Sequence, residues 1–189
     1  MDRRTFLGGS LLAALSLLVR PANARAMGGT LPEIGQPAPA FDLDGVAPSS
    51  DGTVAPTHLG QADFRGRWLA LYFYPKDFTS GCTLEARGFQ RELGEFHDRN
   101  AEVVGVSADD QEAHLSFCGS EGLAYPLLSD PGGATSRRYG SWIAPFSARH
   151  TFLIDPDGVL RASWVAVRPS GHSQEVLAEL DRLQAETAD

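Results

Sequence analysis

Trp68-Leu-Ala-Leu-Tyr-Phe-Tyr74 is an unbroken apolar and aromatic run that stops at Pro75. A run of that length has no polar face to offer water, so it reads as a central strand buried on both sides. A chain built around such a strand must supply covering layers above and below it. The remaining patterns provide them. Residues 83–97 place Leu84, Phe89, Leu93 and Phe96 at helical spacing with charges between, which predicts an amphipathic helix. Ala101-Glu-Val-Val-Gly-Val106 predicts a second strand, and Asp109 or Asp110 can cap the helix after it. Tyr125-Pro-Leu-Leu128 is short and extended. Thr151 to Ile154, a turn at Asp155-Pro-Asp-Gly158, and Val159 to Val165 predict a β-hairpin. Ser173 to Ala185 closes the chain as a helix, with Val176, Leu177, Leu180 and Leu183 on one face. Glycines, prolines and serines across residues 45–61 predict a loop, and residues 27–37 a leader into the fold. Strands alternating with helices and a late hairpin imply an α/β fold, a mixed sheet with helices on both faces. A thioredoxin-like arrangement is one such solution.

The first 26 residues read differently. Arg3-Arg4-Thr5-Phe6-Leu7 leads into an apolar stretch from Leu7 to Val19, followed by Pro21 and small-residue sites around Ala24 and Ala26. A charged start, a short apolar middle and a small-residue end predict a signal peptide over 1–26. The stretch is too short for a span of about 20 residues, so no stable membrane insertion of the mature chain is expected. The paired arginines resemble a twin-arginine export signal, which implies a bacterial periplasmic destination. The mature domain is then 27–189. Removing 1–26 takes four of 16 basic and one of 24 acidic residues, leaving 12 against 23, a formal charge of −11. Such a balance repels phosphate backbones and excludes nucleic acid as a partner. Cys82 and Cys118 are the two cysteines. An even count in an oxidising compartment suggests a disulfide, and their spacing is unlike metal-binding pairs two to four apart.

Pro75-Lys-Asp-Phe-Thr79-Ser-Gly-Cys82-Thr-Leu-Glu85 joins the buried strand to a helix start. Cys82 therefore falls in or just before the first helical turn. Unpaired backbone N–H groups and the helix dipole favour negative charge there, and the thiolate is the nucleophilic form of cysteine. A small buried cysteine at a helix start satisfies the same position equally well.

The stretch resembles the active-site signature of the peroxiredoxins: a proline, three residues, a threonine, two residues and a cysteine. The longer string Tyr72 to Glu85 is similar to the Q-type branch, the bacterioferritin comigratory proteins. The resemblance continues through Val103 to Ser107, Tyr125 to Asp130 and Arg149 to Asp155. It implies a thioredoxin-like fold and a cofactor-free thiol peroxidase acting on hydrogen peroxide and organic hydroperoxides. By resemblance Cys82 is the peroxidatic cysteine, Thr79 hydrogen-bonds the thiolate or peroxide, and Pro75 shields the sulfur. Arg149 lies beside the sulfur, and Glu85 orients that arginine.

Many Q-type members resolve with a cysteine five residues after the first, where this chain has Arg87. A subset resolves from the next helix, which implies that Cys118 closes an intramolecular disulfide with Cys82. The competing reading is a one-cysteine enzyme resolved by an outside thiol. Two further readings on the same fold are a redox sensor and a metal-binding assembly factor. The second would need a cysteine at position 86, which holds Ala86. A thioredoxin-type oxidoreductase would need Cys-x-x-Cys, and Glu85 stands at that site. The implied electron donor is a thioredoxin-like or other thiol reductant, and the chain is expected to be a monomer. His150 follows Arg149 and is expected at the pocket edge; His58, His97, His114 and His172 show no ligand spacing and read as surface or packing residues.

Overall fold

A computed structural model of the chain describes residues 25–49 and 52–188. The expected signal over 1–26 lies outside the described residues, apart from Arg25 and Ala26. In chain order the strands are β1 (Arg25–Ala26), β2 (Gly29–Thr30), β3 (Asp42–Pro48), β4 (Val54–Gly60), β5 (Trp68–Phe73), β6 (Ala101–Ser107), β7 (Leu127–Ser129), β8 (Trp142–Ile143), β9 (Phe146–Ser147), β10 (His150–Ile154) and β11 (Leu160–Trp164). The helices are α1 (Ser80–Asp98), α2 (Gln111–Glu121), α3 (Ala134–Arg138) and α4 (His172–Ala188), with a 3₁₀ turn at Gln61–Phe64.

Seven strands form one mixed sheet in the order β11-β10-β5-β6-β7-β3-β4. β5, β6 and β7 run parallel, and β10, β11, β3 and β4 add antiparallel neighbours outside them. Every residue of β5 is buried, as its unbroken apolar run requires. Alternate residues of β5 then divide between two cores. Trp68, Ala70 and Tyr72 pack with α1, α2 and α4 through Phe89, Phe96, Phe117 and Leu180. Leu69, Leu71 and Phe73 face the other way, against Leu31, Phe41, Phe64, Tyr139 and Phe152. Both faces thus carry helix, the long ones on the first and the 3₁₀ turn with the end of α3 on the second.

The helix starts follow local chemistry. Asp110 caps α2 by accepting from the Ala113 N–H at 2.9 Å, and Gly122 ends it in the left-handed region at φ 63°. In α1 the expected apolar face holds for Phe89, Leu93 and Phe96, whereas Leu84 turns outward and is half exposed.

The expected loop over residues 45–61 is a β-hairpin instead. β3 and β4 pair antiparallel from Asp42↔Gly60 to Pro48↔Val54, and β3 docks on β7. The prolines and glycines that suggest a break have other uses. Pro56 sits in the edge strand, where a missing N–H is tolerated. Gly45 lies so close to β7 that a Cβ would meet the Leu127 carbonyl oxygen at 2.3 Å.

Phe89 is fully buried, stacked on Tyr72 at 4.7 Å between centroids and packed against Phe96 and His172. Phe89→Ala is expected to lower unfolding free energy by about 3–5 kcal/mol, measured by equilibrium denaturation of the reduced protein.

Candidate active site

The site lies at the carboxyl end of β5, where ligands of parallel sheets generally bind. Three segments meet there: the β5–α1 connection, the first turn of α1, and the residue just before β10. The antiparallel pair His150↔Phe73 sets the start of β10 beside the end of β5. That register is why Arg149, 67 residues downstream, reaches Cys82.

Cys82 occupies the third position of α1 and is 1% exposed. Arg149 Nη2 donates to Cys82 Sγ at 3.2 Å. The other terminal nitrogen, Nη1, donates to Glu85 Oε2. One guanidinium therefore spans a sulfur and a carboxylate that sit three residues apart on one helix face. Burial alone would weaken the charge on Arg149, yet Glu85 and Cys82 outweigh it and hold the pKa above the ordinary value. Burial pushes Glu85 up to about 7, against the pull of Arg149. Its second oxygen, Oε1, is buried with no hydrogen-bond partner among the described residues. Gly81 makes room for the clamp, because a Cβ there would come within 3.2 Å of Arg149 Nη2.

Thr79 is the N-cap of α1, in extended conformation. Its hydroxyl donates to the Lys76 carbonyl oxygen at 2.9 Å rather than to the sulfur. That bond fixes the hydroxyl and leaves its oxygen lone pairs as the free feature. Pro75 lines an open pocket of about 310 Å³ with Met27, Ile143, Phe146, Ala148 and Ala166, and Arg149 and His150 also border it. Its lining is almost wholly apolar. Trp142 is not part of it, lying instead under the Arg137 guanidinium at 5.0 Å from the ring centroid.

Cys118 is buried in α2, and neither cysteine is in a disulfide. Burial, and then the negative charge of Asp77, push the Cys118 thiol up to about 12.

Sequence reasoning did not find a second polar cluster behind Cys82. Tyr74 Oη donates to Asp77 Oδ1 at 2.7 Å, and His114 Nδ1 lies 2.8 Å from Asp77 Oδ2. The Asp77 N–H donates to Asp109 Oδ2 at 2.9 Å. The neighbouring Phe78 has φ 61°, a left-handed conformation that a bulky residue rarely adopts, and packs its ring edge-on to Phe117 at 5.1 Å. Asp77 and Phe78 thus fasten the β5–α1 connection to α2. The available signal was the spacing of His114 and Cys118, four apart in a predicted helix and so on one face.

The buried Glu85 makes folding stability depend on pH. The folded chain keeps a proton on Glu85 at pH values where the unfolded chain has lost it. Stability is therefore fullest below about 4.5 and declines as pH rises toward about 7. Glu85→Gln is expected to flatten that decline, measured by urea unfolding across the interval.

Comparison with known proteins places these features in a wider group. Residues 34–163 match the AhpC/TSA family. A relative from Xanthomonas campestris pv. campestris, Peroxiredoxin Bcp, is 37% identical over 76% of this chain and 91% of its own length. Peroxiredoxin tpx1 of Schizosaccharomyces pombe is 40% identical over 80% and 82%. Among solved structures, a mutant of PrxQ from Xylella fastidiosa superposes with a TM-score of 0.73 at 31% identity, covering 82% of this chain and 99% of that one. Peroxiredoxin Q of Xanthomonas campestris gives 0.67 at 33% identity, over 75% and 90%. The mixed sheet and its helices have the thioredoxin-like fold of these peroxiredoxins.

Proposed function

The chain belongs to the AhpC/TSA family and is a thiol peroxidase; from that premise we propose that Cys82 is its peroxidatic residue, and that the chain is of the Q type. The observation that carries this reading is the Arg149 guanidinium held against both Cys82 Sγ and Glu85. The Cys82 thiolate attacks one peroxide oxygen, the S–O bond forms as the O–O bond breaks, and water or an alcohol leaves. Charge moves from sulfur to the leaving oxygen during that step. A guanidinium with donors already fixed at the sulfur stabilises the charge at both ends of its path without reorganising. Glu85 keeps the fork in that orientation. Thr79, with its proton committed to Lys76, accepts a hydrogen bond from the incoming peroxide, and Pro75 shields the sulfur from solvent.

The apolar pocket beside Pro75 suits hydroperoxides that carry an apolar substituent. A solved structure of the Xanthomonas campestris bacterioferritin comigratory protein concerns alkyl peroxide reduction by that protein. Resolution by Cys118 has separate support. The two cysteine-to-serine variants of Xanthomonas campestris peroxiredoxin Q lie 36 positions apart, the same separation as Cys82 and Cys118. The Cys118 thiol attacks the sulfenic acid at Cys82, and water leaves as the S–S bond forms. The disulfide then returns to the thiols by exchange with a thioredoxin-like donor. Thioredoxin dependence is printed in the name of a mitochondrial Drosophila melanogaster relative 39% identical to this chain. With an export signal over 1–26, that donor would be a periplasmic thioredoxin-like protein, and the peroxidase would work there as a monomer.

The test is intact mass and free-thiol counting after one equivalent of hydrogen peroxide. Wild type is expected to lose two hydrogens and both thiols, Cys118→Ser to gain oxygen, and Cys82→Ser to stay unchanged. Wild type gaining oxygen with Cys118 free would instead mark a one-cysteine enzyme. Arg149→Met should slow oxidation of Cys82 by about 10²–10³-fold, the usual effect of removing a donor aimed at developing charge.

A further inference from the structure

We infer that His114 takes the proton from Cys118 when that thiol closes the disulfide, with Asp77 holding the imidazole ready. The inference rests on the reading of Cys118 as the resolving residue. Resolution needs a thiolate, because the thiol itself is a poor nucleophile. Cys118 sits where burial and the charge of Asp77 both oppose ionisation. Some nearby group must therefore accept its proton as the S–S bond forms.

His114 is the residue placed to do so. It lies one helical turn before Cys118, and the two are buried on the same face of α2. Residues four apart on a helix have Cβ atoms about 5–6 Å apart. Asp77 Oδ2 lies 2.8 Å from His114 Nδ1, and an ionised carboxylate can only accept. That contact puts the proton of a neutral imidazole on Nδ1 and leaves Nε2 with a bare lone pair. Nε2 is buried and has no hydrogen-bond partner among the described residues. An unpartnered ring nitrogen in the core is costly, and a proton-accepting role gives it a use. Tyr74 Oη donates to the other Asp77 oxygen at 2.7 Å, so the carboxylate is fixed from two sides. The ionisable groups packed around the pair are Tyr74, Asp77, Asp109, Cys118 and Tyr125.

The step balances. The Cys118 S–H proton passes to His114 Nε2. The Cys118 sulfur attacks Cys82 sulfur, the S–OH bond breaks, and the departing hydroxide takes the proton from Nε2 as water. The product is the disulfide, water and neutral His114.

The experiment is a quenched-flow time course of intact mass after one equivalent of hydrogen peroxide, which separates sulfenic acid formation from disulfide closure. In His114→Gln the ratio of closure rate to formation rate is expected to fall at least about tenfold near neutral pH, within the usual effect of losing a general base. The closure rate of the variant should also climb steadily with pH, where wild type climbs less steeply. A merely structural role predicts the opposite sign, because loosening the tie between the β5–α1 connection and α2 would hasten closure. A ratio within twofold of wild type, or a raised one, overturns the inference. If His114→Gln loses helical circular dichroism, Asp77→Asn decides, since it keeps side-chain shape and removes the fixed carboxylate. A lowered ratio there supports the inference and an unchanged one overturns it. Wild type that forms no disulfide, matching Cys118→Ser, would overturn the resolving role itself and the inference with it.

Discussion

A half-buried guanidinium with two acceptors organises this end of the molecule. Arg149 immediately precedes β10, and its fork ties the start of α1 to the sheet through Cys82 and Glu85. A cation is tolerated at such depth only when paired and hydrogen-bonded. Each partner is in turn placed by something else. The β10–β5 register brings the arginine in, the helix start presents the sulfur, and Gly81 leaves space between them. Removing Arg149 would leave Glu85 buried without its ion-pair partner.

The sheet supplies the rigidity that the clamp needs. β5 has neighbours on both sides and two cores pressing on its alternate residues. Its carboxyl end is therefore the best-anchored backbone near the site. The β5–α1 connection departs from it through Asp77 and the left-handed Phe78, each fastened to α2. The helix bearing Cys118 and the loop leading to Cys82 are consequently joined by a polar and an aromatic contact.

Much of this was legible in the residues. The unbroken run at 68–74 implied a strand covered on both faces, and the strand–cysteine–helix order placed Cys82 at a first turn. The closing hairpin and last helix followed from turn chemistry and helical spacing. The β3–β4 hairpin was not legible, because Pro56 and Gly45 carry breaker signals that only an edge position and a tight strand contact explain. Arg149 on its own is an arginine at a strand start; family resemblance pointed to it, and the register explains why it lies beside Cys82. His114 and Asp77 were hidden for another reason. A buried histidine hydrogen-bonded to a carboxylate has the same local sequence as an exposed one, and its partner lies 37 residues away.

The separation of 67 residues between Cys82 and Arg149 also bears on how the enzyme comes into being. Chains emerge from the ribosome N-terminus first, and segments fold as they are released. β5 and α1 can leave the tunnel well before β10 does. During that interval the cysteine has no guanidinium beside it, and the edge of β5 that pairs with β10 is uncovered. The contact between Arg149 and Cys82 is thus made late, by one of the last segments to be synthesised, and a chain truncated before residue 149 carries the sulfur without the guanidinium beside it.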